Sequence, residues 1–84
     1  MAVHFHPHAR ERMEERGATE NEVLVAVEQG ERFPAKFGRT GFRHNLPFED
    51  KWRDKYYHTK QIEVYAVQEG GSDWLVLTVI TRYF

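Results

Sequence analysis

The sequence contains no cysteine, which excludes a disulfide framework and a thiolate zinc site. It contains no apolar run long enough for a membrane span or a signal peptide, so the expected location is the cytoplasm. Internal repeats, low-complexity tracts and linkers are also missing. At 84 residues the chain is expected to be one domain, residues 1–84. A domain of this size buries only about 60–65 % of its chain surface, so function has to sit on the outside of one small unit. Net charge is nearly absent, at −1, but the charges are unevenly placed. Residues 1–31 carry three basic and seven acidic side chains, residues 32–60 eight and three, and residues 61–84 one and three. A basic block therefore lies inside an acidic chain.

The strongest pattern is at the C-terminal end. Gln61 to Glu69 alternates and is rich in β-branched residues, Gly70-Gly71-Ser72-Asp73 reads as a turn, and Trp74 to Phe84 alternates again. This predicts a β-hairpin. A two-residue loop at Gly71-Ser72 and a four-residue loop from Gly70 to Asp73 both set Ala66 opposite Leu77. One face would then carry Ile62, Val64 and Ala66 against Leu75, Leu77 and Val79, and must be covered. The other would carry Gln61, Glu63, Tyr65 and Val67 against Arg82, Ile80, Thr78 and Val76, polar enough to stay partly open.

Upstream, Val3 to His6 reads as a short extended lead-in, and Pro7 suits the first helical position because its missing N–H has no partner there anyway. The first helix runs to Arg16, with Gly17 as its stop. Thr19 followed by Glu22 predicts a capping box at the start of a second helix, which Val23, Leu24 and Val27 make amphipathic and Gly30 ends. Two short strands are expected at Arg32–Phe37 and Gly41–Leu46, and an irregular segment at Lys51–Lys60. The expected class is α+β, with an N-terminal helical hairpin on one face of an antiparallel sheet of about four strands.

His4, His6 and His8 alternate, but Pro7 bends the chain between them and no carboxylate cluster completes a metal site. Neither metal nor cofactor is expected. His8 and Arg12 share a helical stripe, an arrangement suited to acid–base work on an anionic substrate, or else Arg12 simply pairs with Glu11, Glu15 or Glu20. Lys36, Arg39, Arg43, Arg53, Lys55 and Lys60 are interleaved with Phe37, Phe42, Trp52, Tyr56 and Tyr57. Cations beside aromatic rings are what single-stranded RNA binding needs; the other reading is a hydrated loop whose aromatics form a minor core. On the open face Tyr65 is expected opposite Thr78 and Arg82 opposite Gln61, with Lys60 facing Tyr83 on the other side. A metal-free ribonuclease must deprotonate a ribose 2′-hydroxyl, stabilise the crowded phosphate with cations and protonate the leaving oxygen. Tyr65, Arg82, Arg43 and His44 have chemistry suited to those tasks.

Taken in order, these pieces resemble a known family. The opening His8-Ala9-x-x-Arg12-Met13-x-x-Arg16-Gly17, the Thr-Glu helix start and the closing Leu77-Thr78-Val79-Ile80-Thr81 resemble a widespread prokaryotic family of unknown function. Gly38-Arg39-Thr40-Gly41-Phe42-Arg43, Lys55-Tyr56-Tyr57-x-x-Lys60-Gln61 and Tyr83-Phe84 resemble one of its subgroups. That family is similar in predicted fold to RelE-like toxins and to barnase, colicin and EndoU-like nucleases. The resemblance implies a RelE-like scaffold with its active site on the sheet, raises His8, Arg12, Arg16, Arg43, Thr78 and Thr81 above an ordinary surface, and makes Arg12, Arg43 and Arg82 phosphate-holding candidates. The expected function is thus a metal-independent ribonuclease of toxin type acting on RNA and controlled by an antitoxin or immunity protein. The alternative is a non-catalytic module that uses the open sheet face and an exposed edge to bind another protein or to form a homodimer.

Overall fold

The computed structural model describes residues 1–84. Helix α1 (Pro7–Arg16) starts where Pro7 favours it, with the ring Nδ1 of His6 accepting the His8 N–H at 3.1 Å as the cap. It stops at Gly17, which takes a left-handed φ of 74°. A Cβ there would stand 2.7 Å from the Trp52 ring and 2.9 Å from the Tyr83 hydroxyl, so glycine is required both by conformation and by the close approach. Helix α2 (Glu20–Gln29) opens with the expected capping box: Thr19 Oγ1 accepts the Glu22 N–H, and Glu22 Oε1 accepts the Thr19 N–H.

The sheet is five-stranded, in the order β1-β5-β4-β3-β2. Its strands are β1 (Val3–Phe5), β2 (Glu31–Pro34), β3 (Thr40–Trp52), β4 (Lys55–Glu69) and β5 (Asp73–Tyr83). The α+β class stands, but four antiparallel strands is corrected to a mixed sheet. The lead-in segment pairs parallel with β5, Val3 opposite Trp74 and Phe5 opposite Val76. That partnership joins the two ends of the chain and has no local sequence signal.

Lys51–Lys60 is also corrected. It is not irregular but the tip of a long β3–β4 hairpin, with Trp52 opposite Lys55. The two turn residues Arg53 and Asp54 have φ of 51° and 67°, as a type I′ turn demands, yet neither is the glycine that usually announces one. Pro47 does not break β3 because beyond Arg43 that strand has only β4 as a neighbour, so no second partner needs its missing N–H.

In the β4–β5 hairpin the loop has three residues, Gly70 to Ser72, and Glu69 faces Asp73. Ala66 therefore lies opposite Val76, not Leu77. A bulge between Tyr65 and Ala66 then absorbs the extra residue, restoring Tyr65 opposite Thr78, Gln61 opposite Arg82 and Lys60 opposite Tyr83. Trp74 and Val76 consequently join the core in place of the expected Leu75 and Leu77.

Both helices cover the inner face, where Ala9, Met13, Val23, Ala26 and Val27 meet Ile62, Val64, Ala66, Val76 and Val79. Only 16 of the 84 residues are buried, and just two of those are charged, Lys60 and Glu63. Adjacent alternation puts them on opposite faces of β4, and each is paired, as burial of charge requires. On the inner face Lys60 Nζ donates to the Gly17 carbonyl and to Glu22 Oε1 at 2.8 Å. Beside it Trp52 stacks on Tyr83 (ring centroids 5.1 Å apart, planes 14° apart), with Phe48 and Tyr57 against the same ring. Much of the aromatic content of the basic block is thus a minor core that seats the turn between the helices.

Candidate functional site on the open sheet face

The outer face of the sheet carries no helix. Its centre is Glu63, which projects from β4 on the side opposite Ile62 and Val64 and is only 4 % exposed. The registers Glu31 to Arg43 and Arg43 to Glu63, with Arg82 one step along β5, lay alternating charges across four adjacent strands. Glu63 Oε2 accepts Arg43 Nε at 3.1 Å and Arg82 NH1 at 3.0 Å, and Oε1 accepts the Tyr65 hydroxyl. Arg43 NH1 also reaches Glu31 Oε1 at 3.2 Å. The two arginine side chains are 40 % and 52 % exposed, so one buried carboxylate orients two half-exposed cations, of which Arg43 is shared with Glu31.

Burial opposes the charge on Glu63, but the hydrogen bonds from Tyr65 and Arg43 and the nearby Arg82 and Arg43 charges outweigh it, and its carboxyl is held below the usual range. The hydrogen bond to Glu63, then burial, pushes the Tyr65 phenol above its ordinary value. Near neutral pH the pair is an ionised carboxylate bound by a neutral phenol.

Next to this cluster a groove of about 420 Å³ is lined by Phe33, Lys36, Phe37, Arg39, Thr78 and Ile80, together with Ala35 and Tyr65. Tyr65 belongs to both features, its hydroxyl to Glu63 and its ring to the groove. Phe33 meets the Tyr65 ring edge-on with centroids 6.1 Å apart, and its own ring lies 4.6 Å from the Arg43 guanidinium carbon. Gly41 makes room for it, since a Cβ there would stand 2.3 Å from a Phe33 ring carbon.

Of the residues expected to carry chemistry, the structure brings together Arg43, Tyr65, Thr78 and Arg82, with Lys36 and Arg39 at the groove. It does not bring His8 and Arg12 there. Both stand on the helical layer, on the other side of the sheet, and Arg12 pairs with Glu15 at 2.7 Å, the plainer of the two sequence readings. His44 also turns to the helix side, lining a small cleft with Asn21, Glu22, Val25 and Leu46. Arg53 lies at the hairpin tip, donating to the Glu15 carbonyl at 3.3 Å, with Lys55 near the Tyr57 ring. Lys60 is buried inside and fully engaged, so it presents no charge to a phosphate.

Sequence reasoning counted Phe37 among the aromatics of the basic block but did not single out Glu63 or Phe33. The available signal for Glu63 was an acid on the same strand face as Tyr65, with Arg82 diagonally across the predicted hairpin. No helix of the protein is long and apolar enough to cross a membrane. Compared with known protein families, with curated proteins and with solved structures, the chain matches none.

Proposed function

We propose that the open face binds single-stranded RNA and cleaves it without a metal, as a ribonuclease of toxin type. The observation that carries this reading is the convergence of Arg43, Arg82 and Tyr65 on one buried carboxylate beside an aromatic groove. The N–H groups that Arg43 and Arg82 do not spend on Glu31 and Glu63 are suited to a phosphate and to the charge that builds on it in the transition state. The Tyr65–Glu63 pair is poised for a relay: Tyr65 takes the 2′-hydroxyl proton as its own passes to Glu63. The 2′-oxygen then attacks phosphorus, the bond to the 5′-oxygen breaks, and water supplies the proton to that leaving oxygen. Because Arg43 and Arg82 stabilise ionised Glu63, the carboxylate is a weak base and turnover is slow. The resemblance of the His8–Gly17 opening to a family similar in predicted fold to RelE-like toxins also supports the reading, and an antitoxin or immunity protein would silence such an enzyme by covering this face.

The test is incubation with a mixed RNA pool in the presence of a chelator, followed by mapping of the new ends. Discrete cuts leaving 2′,3′-cyclic phosphates are expected, reduced at least about 100-fold in Arg82→Ala and Tyr65→Phe and unchanged in His8→Ala. Loss of cutting in His8→Ala, with Arg82→Ala unaffected, would move the site to the helical layer.

One observation favours a second reading. The Glu31–Arg43–Glu63–Arg82 row is charge-balanced and internally satisfied, as a purely structural network would be, and a non-catalytic module docking a protein partner would show intact RNA in that assay.

A further inference from the structure

Phe37 is 85 % exposed, the most exposed of the large apolar side chains. It also has a left-handed φ of 61°, a conformation that costs a non-glycine residue energy. Exposure and strain together are not explained by folding. Nor is the segment loose: Ala35 N–H donates to the Arg39 carbonyl at 2.9 Å and Arg39 N–H to the Lys36 carbonyl at 3.2 Å, closing a short turn at Lys36–Gly38 that holds the ring out beside the groove. The Arg39 guanidinium carbon lies 5.8 Å from the Phe37 ring centre, and Phe33 with Tyr65 forms the facing aromatic wall.

We propose that Phe37 and this groove form a subsite for one unpaired nucleobase, stacked on the Phe37 ring, with Lys36 and Arg39 meeting the flanking phosphate. The inference rests on the RNA reading above and deepens it by naming the residues that hold an unpaired base and so select a single strand. A base fixed in a duplex presents no free face to a ring at the groove mouth, whereas an unpaired one does. Stacking of this kind accepts any base, so the subsite confers preference for strandedness more than for sequence. Tyr65 borders both the groove and the carboxylate cluster, so a nucleotide held here lies against the residue that links the two.

The experiment uses a fluorescently labelled hexaribonucleotide of mixed sequence, the same oligomer with all six bases removed, and an RNA duplex. Phe37→Ala, at an exposed position, is expected to weaken hexamer binding about 5- to 100-fold. Phe37→Trp should bind at least as tightly as the original, and Arg39→Ala should reduce the salt dependence. The base-free oligomer should bind both the original protein and Phe37→Ala equally weakly, and the duplex should compete poorly. Tight hexamer binding that is indifferent to Phe37→Ala overturns the subsite and leaves the RNA reading standing. Absence of any RNA binding overturns both, and self-association that disappears in Phe37→Ala would then assign the groove to a second copy of this chain.

Discussion

Replacing Lys60 with methionine is expected to destabilise the protein by about 2–3 kcal/mol, and with alanine by about 3–4 kcal/mol. Lys60 is 4 % exposed and its ammonium joins three parts of the fold: the Gly17 carbonyl that ends α1, the Glu22 carboxylate that caps α2, and β4, which carries the lysine. Methionine keeps the packing of the stem against the aromatic rings but removes the donor to the Gly17 carbonyl and leaves the Glu22 carboxylate, only 19 % exposed, with the Thr19 N–H and no counter-charge. Alanine also leaves a space beside Phe48 and Tyr83. For a domain of this size the melting temperature should fall by roughly 4–8 °C per kcal/mol. In Lys60→Met/Glu22→Gln part of the loss should return, because no unpaired charge is left behind. A melting temperature for Lys60→Met equal to that of the original would mean that this bridge contributes nothing.

Glu63→Gln is expected to cost about 1–3 kcal/mol near neutral pH, and its effect should depend on pH in a defined way. The folded carboxyl titrates below its unfolded value, so its contribution is fully present above about pH 4.3 and is lost as pH falls from there through the folded pKa. The gap between original and variant should therefore narrow below about pH 4. Tyr65 and Tyr83 are both raised in the folded state, the first by its hydrogen bond to Glu63 and then burial, the second by burial. Their contributions are present below about pH 10 and are lost as pH rises through the folded values. In Glu63→Gln the alkaline loss should shrink, because the chief cause of the Tyr65 shift is gone while that of Tyr83 remains. Unfolding midpoints in denaturant across the pH range measure both arms; parallel curves for original and variant would contradict the assigned pairing.

These two buried charges also show what was legible in the sequence. The helices were, because their signals are local: Pro7, Gly17 and the Thr19–Glu22 pair act within a turn of where they stand. So was the facing of Tyr65 with Thr78 and of Gln61 with Arg82, although the loop is one residue different and a bulge restores the register. Lys60 looked like one more cation of a basic block. Its burial depends on the α1–α2 turn docking on Trp52 and Tyr83, a contact between distant segments. Glu63 looked like a solvated residue of a polar face, and became the centre of the site only when the strand expected at Gly41–Leu46, whose partner had no local signal, paired with β4 and set Arg43 beside it. The β1–β5 pairing had no local signal at all, and the Arg53-Asp54 turn lacked the usual glycine.

The most direct test of the open-face account is to locate RNA on the protein by following backbone amide resonances during titration with a short, non-cleavable 2′-O-methyl oligoribonucleotide. The account requires shifts to concentrate at Phe33 to Arg39, Arg43, Glu63, Tyr65, Thr78 and Arg82, with His8, Arg12 and the rest of the helical layer unmoved. Shifts centred on α1 and α2 with a silent sheet face, or no shifts at millimolar oligomer, would contradict it.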